Sequence, residues 1–392
     1  MSKLHRLLQH LIKKQKWYYI AVLLCFLLTG CSMKETVEPA AAGSTETEIQ
    51  KQLPAVPESQ TQEAAEVVKE PKIQTVTITA VGDCTLGPNQ KQGYAGSFNE
   101  YYDKYGENYF FDGVRDVFAE DDFTLVNLEC VLSTSKDRVE KTWNMKGKPE
   151  YVGIMTNSSV EGCSLGNNHT FDYGQAGLDE TRQVLDDAGI IFGFNDHTAT
   201  YTTESGLVIG IVSASQLSAD EAHAAYIREG IKKLREEGAD LVIASCHWGI
   251  EGDHYPNDYQ KKLAHDVIDW GADVLIGSHP HVLQGIELYQ GKVICYSLGN
   301  FCFGGNLNPV DKDTAIYRQT FTFVDGILQS DVQAKIIPCR LSSADSRNNF
   351  QPAIAKGKKK KKIISDMNEY SAPYSSVEFD SSGKLEIGEG KQ

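Results

Sequence analysis

The sequence predicts a layered α/β domain. Short runs rich in Val, Ile and Leu recur along the chain, and amphipathic helical patterns lie between several of them. Polar residues able to hold a metal stand where five of those runs end.

The chain has 392 residues, of which 41% are hydrophobic and 9% aromatic. That is enough apolar content for a packed core and excludes wholesale disorder. The net charge of −15 and the pI of about 5.2 speak against a general nucleic-acid binder, which needs a basic face to displace counterions, and leave room for a local basic patch.

Thr75 to Val81 reads as the first strand of a domain spanning residues 72–340. Further strands are predicted at Phe123 to Leu128, Leu207 to Val212, Leu241 to Ala244, Val274 to Ile276, Val293 to Tyr296 and Tyr317 to Val324. Gly177 to Ala188 has apolar residues at helical spacing and stops at Gly189. Ala219 to Glu237 ends before Gly238, and Tyr259 to Trp270 follows the start signal Pro256-Asn257-Asp258 and stops at Gly271. Residues 341–392 are Ser-rich and read as a polar tail. Their run Lys358 to Lys362 reads as a solvated face; the functional alternative is contact with an anionic polymer or a lipid headgroup.

Residues 1–30 form a separate object. Lys3, Arg6, Lys13, Lys14 and Lys16 precede the apolar run Trp17 to Leu28, the pattern of an export signal. The run is too short for a comfortable span of roughly 20 residues. It ends in Leu28-Thr29-Gly30-Cys31, which resembles a bacterial lipobox. That resemblance implies cleavage before Cys31 and its lipidation, so the protein is expected on the outer face of the cell membrane. Residues 31–71, rich in Glu, Ala, Thr, Gln and Pro, read as an acidic tether. Cys84, Cys130, Cys163, Cys246, Cys295, Cys302 and Cys339 remain, an odd number mostly inside apolar runs, which points to free core thiols.

Asp83 ends the first strand, and Glu129 follows the second. Asn168, His169 and Asp172 lie in a segment that precedes a helix. His247 ends the strand from Leu241, and His279-Pro280-His281 ends the strand from Val274. In extended backbone, His279 and His281 would point the same way, with Pro280 fixing the segment between them. Carboxylates, an Asn carbonyl and imidazoles suit a divalent ion such as Mn²⁺, Zn²⁺ or Fe²⁺. Cys84, Cys130 and Cys246 adjoin these ligands, and strand alternation turns them toward the core.

Gly82-Asp83-Cys84-Thr85-Leu86-Gly87, Asn127-Leu128-Glu129, Gly166-Asn167-Asn168-His169 through Gly174, His247-Trp248-Gly249 and the block Gly271 to Gln284 resemble the capsule-synthesis CapA family. So does Tyr296-Ser297-Leu298-Gly299-Asn300-Phe301. The resemblance implies a role in poly-γ-glutamate capsule synthesis or export, beside membrane-bound capsule synthase components. It implies a calcineurin-like metallophosphatase fold, a four-layer α-β-β-α sandwich of two mixed sheets. It implies one metal at Asp83 and His281, a second at Asn168, His247 and His279, and Glu129 bridging them. His169 then serves proton transfer or transition-state stabilisation, with Asp172 orienting it. Three positions depart from the pattern: Thr85 replaces a His ligand of the first metal, Glu129 replaces Asp, and Gly285 replaces Pro. The implied activity is metal-dependent hydrolysis. An extracellular phosphoesterase and a non-catalytic polymer-binding scaffold are the alternatives.

Overall fold

The computed structural model describes residues 70–217, 220–374 and 376–388. The export signal, Cys31 and the tether up to residue 69 lie outside the described residues. Among the described residues no helix is long and apolar enough to cross a membrane.

Two mixed sheets form the centre. The first has nine strands, built around β1 (Ile73–Thr85), β2 (Phe123–Leu128) and β6 (Asp313–Val324). The second has six, built around β3 (Val208–Gln216), β4 (Leu241–Trp248) and β5 (Val274–Ser278). In the first sheet β1 runs antiparallel to β6 and parallel to β2, which in turn runs parallel to Gly162–Ser164. In the second sheet β4 runs parallel to both β3 and β5.

Alternation along the strands decides what each face buries. Val76, Ile78 and Ala80 of β1 meet Ile209, Ile211, Ile243 and Ile276 of the second sheet in one apolar layer. The other face of the first sheet, with Val126 and Leu128, packs on Phe98, Phe110, Leu178 and Leu185. The other face of the second sheet packs Val212 and Ala244 on Ile227, Ile231, Leu263 and Val267. The result is the α-β-β-α sandwich. Its outer layers include α1 (Gly174–Ala188), α2 (Glu221–Glu236) and α3 (Asp258–Asp269). Gly189 closes α1 in the left-handed region at φ 72°, as the glycine stop predicted. Asn257 and Gln260 form a reciprocal capping box at the start of α3.

The C-terminal region differs from the expected polar tail. Gly357–Ser371 forms α4, and Val377–Phe379 pairs with Leu385–Ile387 as a hairpin. Ile363, Ile364, Met367, Val377, Phe379 and Leu385 enter the layer between the sheets. The apolar positions are few, and the lysine run hides their helical spacing. The domain therefore continues to Ile387. Ile363→Ala is expected to destabilise it by about 2–5 kcal/mol, the usual cost of a buried Ile→Ala change. Urea denaturation measures this; a change below about 0.5 kcal/mol, typical of surface sites, would return the segment to the status of a tail.

Candidate metal centre

The parallel strands aim their carboxyl ends at one place, and local irregularities do the fine aiming. The β1–β2 register shifts between Ala80 and Asp83, and the pairing of β1 with Asn300–Phe303 shifts between Asp83 and Thr85. Such bulges re-aim a side chain. A Cβ at Gly82 would lie 1.8 Å from the Gly299 carbonyl oxygen, so only glycine permits this approach. The Asp83 amide then donates to that same carbonyl at 2.9 Å.

His279 and His281 converge by a route the sequence reading did not anticipate. Both lie past the end of β5, with φ of 97° and 59°. An extended segment is therefore the wrong account of their geometry. Left-handed backbone at a non-glycine residue costs about 1–3 kcal/mol and persists only where surroundings enforce it. Here the His279 amide donates to Asp83 Oδ2 at 3.4 Å, Asn300 Nδ2 donates to the His281 carbonyl at 3.1 Å, and the Gly252 amide donates to the Pro280 carbonyl at 2.8 Å.

Glu129 is the centre of the cluster. Its Oε1 is buried and has no hydrogen-bond partner. The Nε2 atoms of His247, His281 and His169 lie 3.6, 3.8 and 3.9 Å from it. His247 Nε2 also lies 2.9 Å from Asn168 Oδ1 and 3.1 Å from His279 Nδ1. Behind the ring, His247 Nδ1 is held by Ser278 Oγ at 3.0 Å. His281 Nδ1 faces Asp83 Oδ2 and Asn300 Oδ1, each at 3.0 Å, which turns its Nε2 toward Glu129. Asp83, Glu129 and His247 form one group with ligand atoms within 4.8 Å of one another, and Glu129, His279 and His281 form another. All six ligands expected from the resemblance thus converge. The groupings cross the two expected ligand sets, joining Asp83 to His247 and His279 to His281.

The electrostatics suit a cation-binding site. Burial, then repulsion from Asp83, pushes the Glu129 carboxyl well above its usual range. Burial, then the neighbouring imidazoles, holds His247 well below its usual value, and burial with His281 brings His279 down to about 4. Both shifts favour the neutral ring, the form that binds metals. At His281, burial lowers the value, but Glu129 and Asp83 outweigh it and raise it to about 10. An orphaned buried carboxylate oxygen ringed by imidazole nitrogens and an amide oxygen is a donor set that a borderline divalent ion satisfies.

Beside this cluster, His169 Nδ1 meets Asp172 Oδ2 at 2.7 Å, which leaves Nε2 facing the site. Asp172 is fully buried, and no side-chain cap is found at the start of α1, so its contacts are with His169 and with the segment crossing above it. Lys141 pairs with Asp172 Oδ1 and donates to the Asn168 carbonyl at 2.9 Å. The Met145 amide donates to Asp172 Oδ2 at 2.5 Å. This strap carries Trp143 to the mouth of a cleft of about 400 Å³ whose lining includes His169, His281, Phe303, Val310, Glu251 and Asp311.

Cys84, Cys130 and Cys246 are buried and free, packed in the outer apolar layers as strand alternation required. The sequence reading did not single out Asn127, which donates to Asp83 Oδ1 at 2.8 Å, nor Ser278, Asn300 or Lys141. Asn127 and Asn300 stand inside the recognised motifs and were within reach. Lys141 stands in a loop with no local signal.

The fold and cluster define a four-layer α/β protein with a metal-site donor set at its strand ends. The chain belongs to the bacterial capsule synthesis protein PGA_cap family, whose model matches residues 77–305. It is 29% identical over 281 residues to the capsule biosynthesis protein CapA of Bacillus anthracis, covering 65% of this chain and 66% of that one. It is 29% identical over 253 residues to the PGA biosynthesis protein CapA of Bacillus subtilis, covering 59% of this chain and 66% of that one. Each match thus spans just under two thirds of the relative's length. Among solved structures, a phosphatase from Mycoplasma pneumoniae aligns with 68% of this chain and 95% of its own, at a TM-score of 0.44 and 13% identity.

Proposed function

We propose that this protein acts in poly-γ-glutamate capsule synthesis or export, as a metal-dependent hydrolase or transferase of γ-glutamyl bonds. The observation that supports it best is the partnerless Glu129 Oε1 among His247, His281 and His169. Asp83, Glu129, Asn168, His247, His279 and His281 would hold one or two divalent ions, Mn²⁺, Zn²⁺ or Fe²⁺. When bound, such ions polarise a carbonyl and lower the pKa of a water. His169, fixed through Nδ1 by Asp172, presents Nε2 to donate a proton to the departing amine. Family membership and the relatives' names, capsule and PGA biosynthesis proteins, support the polymer as substrate. Incubating metal-loaded protein with poly-γ-glutamate and following chain length by size exclusion tests this. Metal-dependent shortening or transfer is the expected result. Turnover of a phosphodiester with the polymer untouched would make it a phosphoesterase, and metal-independent polymer binding without turnover would make it a scaffold.

In the same reading the chain is exported and anchored by lipid on Cys31, working beside membrane-bound synthase components. Anchorage rests on lipid, because the basic leader is lost and the remaining chain is acidic. Cys31→Ala is expected to leave uncleaved precursor or move the protein to the soluble fraction. Cell fractionation with an immunoblot reads this, and unchanged processing and membrane partition would refute the anchor.

A further inference from the structure

We infer that the lysine-rich start of α4 is a docking face for a chain of carboxylates, placed along the outside of the metal cleft. This inference rests on the polymer reading above and adds where the polymer is held. The cleft lining contains Glu251 and Asp311 and neither Lys nor Arg. Beyond the proposed metal ions, a polyanion entering it meets no Lys or Arg in the lining, so further lysine contacts for a long chain lie outside.

The helix supplies them at a defined place. Ile363, Ile364 and Met367 fix it to the core, so its lysines stand on a rigid element. One end is latched behind the cleft wall. Lys362 pairs with Asp313 at 2.9 Å, and the Asp313 amide donates to Asp311 Oδ1, in the lining, at 2.8 Å. Lys359 pairs with Asp345, whose carbonyl accepts from Lys312 Nζ at 3.0 Å. The other end is latched as well: Tyr370 stacks on His254 at 4.7 Å, and His254 Nε2 lies 3.8 Å from Asp311. The helix thus flanks the wall formed by Pro309, Val310 and Asp311.

Lys358 and Lys361, three residues apart and so on one face of the helix, have no carboxylate within ion-pair distance among the described residues, in contrast to Lys359 and Lys362. No acidic residue stands in the first turn of α4 and no side chain caps it. Cations at this end oppose the helix dipole, so local helix stability does not explain them. A row of carboxylates complements both the lysines and the helix start.

The test titrates labelled poly-γ-glutamate with the full chain in neutral detergent and follows anisotropy across salt. In the variant Lys358→Gln and Lys361→Gln, the paired lysines remain. The variant is expected to bind about tenfold or more weakly at low salt, with a shallower salt dependence. Metal content and melting temperature should match wild type. Equal affinity in wild type and variant overturns the inference. Lysine-dependent binding of phosphatidylglycerol micelles with no affinity for the polymer also overturns it, in favour of a headgroup site. If wild type cleaves γ-glutamyl bonds while variant and wild type bind equally, the docking face alone fails. Lysine-dependent binding with no turnover faults the proposed chemistry and leaves the docking face standing.

Discussion

Glu129→Gln is expected to weaken divalent-metal binding by more than about 100-fold. Losing an outer-shell partner alone costs about 10–100-fold, and Glu129 is the one residue common to both ligand groups. The substitution keeps the shape and removes the charge at the atom that faces three imidazoles. Isothermal titration with Mn²⁺ or Zn²⁺ measures it. The same change should have the opposite effect on the chelated protein. The Glu129 carboxyl is raised in the fold, so its protonated form is favoured there and the unfolded chain ionises first. Stability from this group is present below the unfolded value and is lost as pH rises through the folded one. Metal-free Glu129→Gln should therefore melt higher than metal-free wild type at neutral pH, and the difference should vanish in acid. A metal-free variant that melts lower at neutral pH would show that Glu129 is satisfied without an ion.

His169→Asn is expected to lower turnover of the physiological substrate by about 10²–10⁴-fold, the usual worth of a general acid or base. His169 follows Asn168 directly, yet the turn sends the two side chains to different atoms. Asn168 Oδ1 reaches His247 Nε2, and His169 reaches Asp172 through Nδ1. Metal content should remain near wild type, because the ligand groups at Glu129 do not require this ring. Steady-state kinetics with parallel metal analysis separates the outcomes. Loss of metal would make His169 a ligand, and full activity would make it structural.

The strand ends were legible because the strands are buried runs with polar residues at their carboxyl termini. Phe123–Leu128 appears with the predicted bounds, and Leu241 and Val274 open their strands as expected. The ligands themselves were legible through motifs. Their aim was not. His279 and His281 take positive φ, which depends on Asp83 and Asn300 from distant strands, and no local pattern encodes that. Lys141 reaches Asp172 and Asn168 only after the strap folds across the site. The C-terminal helix was missed for a different reason. Its lysines dominate the composition, while a narrow stripe of Ile363, Ile364 and Met367 carries the burial. A stripe that narrow reads as helix only once a groove between the sheets is there to receive it.

Whether these side chains hold a metal is read from anomalous diffraction by crystals grown with Mn²⁺, Zn²⁺ or Fe²⁺. One or two peaks are expected within bonding distance of Glu129 Oε1 and the ring nitrogens of His247, His279 and His281. No peak there after loading, or a peak held by other residues alone, would contradict the metal assignment.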